Sequence, residues 1–214
     1  CAECHSTNLR KGYRLDEERF LTTFSEVNVS CETCHGQGSR HVDWARQARA
    51  RGQEPKGEPG LIVRFTERRS REWEMDTERG IARPTKFLET RFEVETCARC
   101  HARRGLLTEE YRPGKLLAET HRPALLDEGL YYADGQMRDE VYNWGSFLQS
   151  RMYAAGVTCS DCHDPHGLKV KVGADEVCSS CHQPERFGSR KHHFHRERGK
   201  GASCVACHLR TETY

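Results

Sequence analysis

The sequence has no run of about 18 apolar residues, so it predicts no membrane-spanning helix. Apolar residues make up only 36% of its 214 residues, whereas charged residues make up 31%. A chain this polar buries too little apolar surface to offset the conformational entropy that folding removes. A signal peptide is also missing, and every cysteine lies inside one repeated pattern. The low apolar content predicts that something besides side chains supplies the core.

The repeated pattern is Cys-x-x-Cys-His, and its six copies contain all 12 cysteines. Two thiols three residues apart lie on about one helical turn, so both can form thioethers to one porphyrin edge. The next histidine can then bind the iron as proximal ligand. The predicted attachment residues are Cys1, Cys4, Cys31, Cys34, Cys97, Cys100, Cys159, Cys162, Cys178, Cys181, Cys204 and Cys207. The predicted proximal ligands are His5, His35, His101, His163, His182 and His208. The pattern therefore predicts six haems c, with iron as the metal.

Three other interpretations of the cysteines were weighed. Paired Cys-x-x-Cys units can hold structural zinc, 12 cysteines can form disulfides, and one Cys-x-x-Cys can be a thiol redox motif. None of these demands a histidine directly after the second cysteine. Its presence in all six copies favours haem attachment.

Six haems would leave about 36 residues for each macrocycle, so the macrocycles themselves can form the core. We predict a single hexahaem domain over residues 1–214, mainly α with long loops and little sheet, wrapped around six closely stacked haems. The haems should be densest over 159–208, where three motifs follow closely. Local patterns also predict helices over 42–50 and 146–155 and a short strand over 61–65.

Six histidines lie outside the motifs, which matches the number of second axial ligands needed to close six irons. These candidates are His41, His121, His166, His192, His193 and His195. His166 follows the proximal His163 by three residues across a proline, so it should reach a neighbouring haem rather than its own. The same reasoning applies to His41, which follows the proximal His35 by six residues. Adjacent side chains in the last cluster point apart, so one or two of its three histidines are predicted ligands, and Met152 is the reserve ligand.

Four strings carry a family resemblance: CAECHSTNL (1–9), CETCHGQGSRH (31–41), GSFLQSRM (145–152) and GVTCSDCHDPH (156–166). They resemble the multihaem cytochromes often found with tetratricopeptide repeats. More distantly, the chain is similar to the superfamily of pentahaem nitrite reductase and octahaem hydroxylamine oxidoreductase. The resemblance implies alternating parallel-stacked and perpendicular haem pairs, with His41 and His166 as bridging ligands. In the closer family, further segments usually flank this region, so we expect a fragment or a processed chain.

The first functional hypothesis is electron transfer through closely spaced, closed haems, with redox proteins or copies of itself as partners. A special form is a filament in which haems continue from subunit to subunit. The second hypothesis is an oxidoreductase with one open haem acting on a small nitrogen or sulfur oxyanion. Against it, the resembled nitrite reductases have lysine in place of one proximal histidine, and all six motifs here end in histidine. A third is a redox module of a larger complex.

The expected location is periplasmic or extracellular, because haem is attached through thioethers outside the bacterial cytoplasm. The formal charge of +2 would become negative once haem propionates are counted. A nucleic-acid partner is therefore not predicted.

Overall fold

The computed structural model describes residues 1–52, 54, 56–67, 71–197 and 199–209. Within this part of the chain, short strands form five separate two-stranded antiparallel sheets. The pairs are β1 (Ser6–Thr7) with β4 (Glu26–Val27), β2 (Tyr13–Arg14) with β3 (Arg19–Phe20), β5 (Trp73–Asp76) with β6 (Ile81–Pro84), β7 (Arg104–Leu106) with β8 (His121–Pro123), and β9 (His163–Asp164) with β10 (Lys169–Val170).

The helices are also short. They are α1 (Cys31–His35), α2 (Ser39–Ala50), α3 (Phe92–His101), α4 (Asn143–Leu148), α5 (Arg151–Ala154), α6 (Cys159–Cys162), α7 (Ala174–Ser179), α8 (Pro184–Phe187), α9 (Arg190–His193) and α10 (Cys204–His208), with 3₁₀ turns at Leu117–Glu119 and Lys200–Ala202. Helices contain 32% of the residues and strands contain 16%. The predicted class, mainly α with long loops and little sheet, is confirmed in part, because the described strands form small two-stranded sheets. The wrapping around six haems stays a prediction.

The short strands arise because the segments between motifs fold back on themselves. The clearest case is the N-terminal ribbon, residues 6–27, in which β1 pairs with β4 and β2 with β3. Near its tip, the rings of Tyr13 and Phe20 lie 4.9 Å apart. At its base, Thr7 Oγ1 donates to the Asn28 carbonyl at 2.8 Å. Such hairpins close short loops at low entropic cost, and so they form locally.

Two local predictions fail and one holds. Helix α2 confirms the helix predicted over 42–50. The strand predicted over 61–65 is absent, because Val63 N–H donates to the His35 carbonyl and lays this segment along the second motif. The helix predicted over 146–155 is divided into α4 and α5, since the Ser150 side chain caps a new helix by accepting from Tyr153 N–H.

The side-chain core is small. In the described residues, seven apolar residues are buried whereas 24 large apolar residues are exposed. One cluster packs Ala98, Ala102 and Leu117 against Trp144, which joins α3 to α4. The polypeptide exposes 15659 Å², compared with about 10,000 Å² for a compact protein of its mass. Haem macrocycles attached to the motifs would cover apolar side chains that are exposed here. The exposed apolar surface therefore fits a chain that binds haem.

Candidate haem-attachment and ligand residues

Each motif folds as a short helical turn. In the first, the N–H groups of Cys4 and His5 both bond to the Cys1 carbonyl, at 3.1 and 3.0 Å. In the fifth, the His182 N–H bonds to the Cys178 carbonyl at 2.9 Å. The second and sixth motifs are the helices α1 and α10, the third ends α3, and the fourth is α6 followed by its histidine. The spacing i, i+3, i+4 puts both thiols and the imidazole on one face, as haem attachment requires.

The other interpretations of the cysteines lack support in this geometry. None of the 12 cysteines forms a disulfide. Among the described residues, no group of three or more His, Cys, Asp or Glu side chains is arranged to hold a metal ion, as a structural zinc site would need.

Thiols from different motifs lie beside one another. A hydrogen bond with Cys159, together with burial, raises the pKa of Cys97. Burial and the neighbouring Cys4 raise the pKa of Cys100 to about 12. In the third motif, Cys97 therefore lies beside the fourth motif, and Cys100 lies beside the first.

Buried charges fix the third and fourth motifs against each other. The Glu93 carboxylate, at the start of α3, accepts from the N–H and the hydroxyl of Ser160 in α6, at 2.6 and 2.8 Å. Arg71 pairs with Asp161 at 3.1 Å, with its own side chain only 2% exposed, and also donates to the Gly156 carbonyl. These contacts cross the domain, so they set the relative positions of two haem attachment sites.

The first motif is fixed by a similar cluster. Glu3 accepts from Arg104 at 3.1 Å and from His121 Nε2 at 3.0 Å. The hydrogen bond from His121, with help from Arg104, lowers the pKa of Glu3 to about 2. The carboxylate thus ties residues 1–5 to β7 and β8.

Two pairs of imidazoles combine a motif histidine with one from outside the motifs. The ring centroids of His35 and His166 lie 6.2 Å apart, with 13° between the ring planes. Those of His192 and His208 lie 6.0 Å apart, with 12° between the planes. An iron bound at about 2 Å by one nitrogen of each ring would hold the centroids about 6 Å apart. Both separations fit an iron between the rings.

Two histidines have the hydrogen bonding of iron ligands. His35 Nδ1 donates to the Val63 carbonyl at 2.8 Å, and His41 Nδ1 donates to the Pro59 carbonyl at 2.7 Å. Metal-bound histidines commonly use one ring nitrogen in this way, which orients the other toward the metal. The arrangement agrees with the predicted roles of His35 as proximal and His41 as distal ligand.

Two other predicted ligands have no ring nitrogen left for iron in this arrangement. His121 is 1% exposed; its Nε2 bonds to Glu3 and its Nδ1 shares a hydrogen bond with the Thr120 hydroxyl at 2.8 Å. His193 Nε2 donates to the Gly188 carbonyl at 3.2 Å, and its Nδ1 accepts from the His195 N–H at 3.1 Å. Protein groups thus bond to both ring nitrogens of His121 and of His193 in this arrangement, and the ligand roles of these two residues stay predictions.

The remaining candidates are less defined. The His195 ring lies 6.4 Å from that of His193 and packs against Gly201. Met152, in α5, is 45% exposed. The proximal candidates of the first, third, fourth and fifth motifs stand without a matched distal imidazole among the described ring pairs.

A groove of about 460 Å³ adjoins the His35–His166 pair. Val63, which accepts the His35 hydrogen bond, and Phe65, whose ring lies 5.4 Å from that of His35, both line it. Phe92 and Pro113 add further apolar surface. A macrocycle bound by His35 would lie against apolar side chains here.

Comparison with known proteins agrees with this geometry. Residues 1–36 match the family Cytochrome c554 and c-prime. A crystal structure of the outer cell wall cytochrome OcwA superposes on 86% of this chain with a TM-score of 0.50 and 18% identity. The fold is that of a multihaem c-type cytochrome. The chain spans 44% of the OcwA chain.

No curated protein matches the chain in sequence. Of its described helices, none combines the length and apolar character needed to cross a bilayer, in agreement with the sequence.

The sequence reasoning missed the residues that position the motifs, namely Glu3, Arg71, Glu93 and Asp161. Two of them, Glu3 and Asp161, are internal residues of a motif. An acidic residue between the two cysteines was the available signal, since it lies on the helix face opposite the haem and needs a partner there.

Proposed function

We propose that the protein conducts electrons through six haems c, one on each Cys-x-x-Cys-His motif. The observation that carries this proposal is the pairing of His166 with His35 and of His192 with His208. Each pair would close one iron with two imidazoles. A closed, low-spin iron changes its ligand geometry little on reduction, and this favours electron transfer over bond chemistry.

The adjacency of the motifs supports conduction. The thiols of the third motif neighbour those of the first and fourth, so the attachment edges of those three haems meet in one region. The His35–His166 pair joins the second motif to the segment after the fourth. Six haems along such contacts form a continuous relay within 24.6 kDa of polypeptide.

The test combines haem counting with spin state. The purified holoprotein should carry six haems by pyridine haemochromogen assay and intact mass. In low-temperature EPR of the oxidised protein, His166→Gln should convert one haem from low spin to high spin, because it removes a predicted ligand. His121→Gln is the matched control and should leave all haem signals unchanged. Fewer than six haems, or the opposite behaviour of the two variants, would refute the assignment.

A second function has one specific observation in its favour. Because both ring nitrogens of His121 and of His193 are bonded to protein, four distal histidine candidates remain for six irons. If these bonds persist when haem is attached, two of the six proposed irons would have no histidine from the described residues as second ligand. An open iron would allow an oxidoreductase to bind a small nitrogen or sulfur oxyanion.

The missing ligands also bear on self-assembly. A histidine from a second copy of the chain, or from protein outside this sequence, would close the same irons and extend the relay across an interface, as in a filament. Carbon monoxide titration of the reduced protein, with light scattering on the same samples, separates the cases. Binding to about two haems in a monomer favours the enzyme, whereas no binding in a large assembly favours the filament.

We place the protein in the periplasm or outside the cell, since thioether attachment of haem takes place beyond the cytoplasm. The location named for the structurally similar OcwA supports this. Its partners would be redox proteins, and no feature of the site calls for nucleic acid.

A further inference from the structure

A basic surface surrounds the histidine pair of the sixth motif. We define the basic face as the exposed residues Arg190, Lys191, Phe194, Arg196 and Lys200. Among the residues the structure describes, none of its four cations forms an ion pair with a carboxylate. The face therefore presents unneutralised positive charge to solvent.

The basic face lies next to the sixth haem site. Arg190 and Lys191 directly precede His192, whose ring faces His208 across 6.0 Å. Lys200 lies in the 3₁₀ turn that contacts both α9 and α10. A protein docked here would be close to the haem that His208 ligates.

An exposed apolar residue lies in the same stretch of chain as these cations. Phe194 is 82% exposed and has a left-handed backbone with φ of 60°. A bulky residue rarely adopts this backbone conformation and persists in it only where its surroundings hold it. His193 does so, because its ring bonds to the Gly188 carbonyl and to the His195 N–H on either side of Phe194.

Both ring nitrogens of His193 are used in holding this loop. Its ring crosslinks the loop and so fixes the backbone at an exposed phenylalanine that lies between Lys191 and Arg196 in the chain. Aromatic residues and arginine are enriched in protein–protein interfaces. A membrane would require a continuous apolar face, which one phenylalanine does not make.

We propose that the basic face is a docking site for an acidic redox protein that exchanges single electrons with the sixth haem. The proposal rests on the proposed electron-transfer function. In each encounter, one electron passes from the partner to ferric haem, which becomes ferrous as the partner centre is oxidised, and no bond forms or breaks. Opposite charge raises the rate of encounter, whereas Phe194 supplies the small apolar contact.

The test uses the holoprotein and a reduced acidic [2Fe–2S] ferredoxin as probe, mixed by stopped flow. The variant Lys191→Glu with Lys200→Glu reverses two charges of the face. At low ionic strength the second-order rate constant for electron transfer to this variant should fall about tenfold. The difference should vanish near 0.5 M salt, where the Debye length is only about 4 Å and the charges are screened. Calorimetric binding of the oxidised ferredoxin should weaken in parallel.

The matched control is Lys11→Glu with Arg14→Glu on the N-terminal ribbon, which makes the same change in net charge. It should stay within about twofold of the unaltered protein. An equal effect in both variants would show that net charge, and not the basic face, governs the rate. That result would overturn the proposal.

Two further measurements exclude other uses of the cations. If they bind haem propionates, the reversal will shift a midpoint potential in a potentiometric titration and leave the ferredoxin rate unchanged. If the face binds lipid, the unaltered protein will bind vesicles of phosphatidylcholine with 30% phosphatidylserine and the variant will not. Either result overturns the proposal. Failure of dithionite to reduce the haems would instead refute the proposed electron-transfer function.

Discussion

The Glu3 cluster leads to a quantitative prediction about acid stability. Glu3 joins the first motif to Arg104 and His121, which lie in strands more than 100 positions later in the chain. Its side chain is 21% exposed. The substitution Glu3→Gln keeps the size of the side chain and removes its charge, so it isolates the electrostatic part of the tie.

The size of the effect follows from the pKa. The displacement from 4.5 to about 2 corresponds to about 3 kcal/mol if fully expressed, and partial exposure reduces this to about 2 kcal/mol. Because the folded pKa is the lower one, the carboxylate stabilises the fold fully above pH 4.5. That stabilisation is lost as the pH falls toward 2.

Guanidinium unfolding of the holoprotein, followed by tryptophan fluorescence, measures both quantities. The variant should be about 2 kcal/mol less stable at pH 7, and its deficit should shrink by about 1 kcal/mol between pH 6 and pH 3. Glu17→Gln, at an exposed ion pair with Arg19, is the control and should cost under about 1 kcal/mol. A deficit that is constant over this pH range would refute the electrostatic reasoning.

Three further substitutions test how the motifs are positioned. Arg71→Met should cost about 3 kcal/mol by removing the buried guanidinium that pairs with the Asp161 carboxylate, measured as a lower guanidinium midpoint; an unchanged midpoint would contradict it. Glu93→Gln should cost about 1 to 2 kcal/mol, because an amide has one acceptor oxygen for the two donors of the fourth motif; thermal melting monitored in the Soret band checks this. Gly145→Ala should cost about 2 kcal/mol, since the added methyl would meet the buried Tyr131 hydroxyl, and the double variant with Tyr131→Phe should recover part of the loss.

The predicted secondary structure succeeded where the signal was local. Helix α2 has its own periodic pattern, and each motif contains the spacing of a helical turn. The segment 61–65 has strand-like composition, but hydrogen bonds to His35 place it along the second motif. Composition cannot anticipate such a contact, because its partner lies about 28 residues earlier.

The histidines likewise divide into those that the local sequence indicates and those whose contacts depend on distant residues. Their number matched the ligands needed, and the short spacing from His163 made His166 a candidate bridge; the structure places His166 opposite His35. For His121 the count alone cannot show a ligand role. Its partners, Glu3 and Thr120, occupy both nitrogens, and the bond to Glu3 joins residues 118 positions apart.

The sequence by itself determined where haem can be attached and how many haems to expect. Covalent attachment needs only two thiols and an imidazole within five residues, so its signature is local and survives without any knowledge of the fold. Which imidazoles face one another, which charges hold the motifs together and which cations lack an ion-pair partner among the described residues were decided by tertiary structure alone. These properties depend on distances between residues far apart in the chain, and only the folded backbone sets those distances.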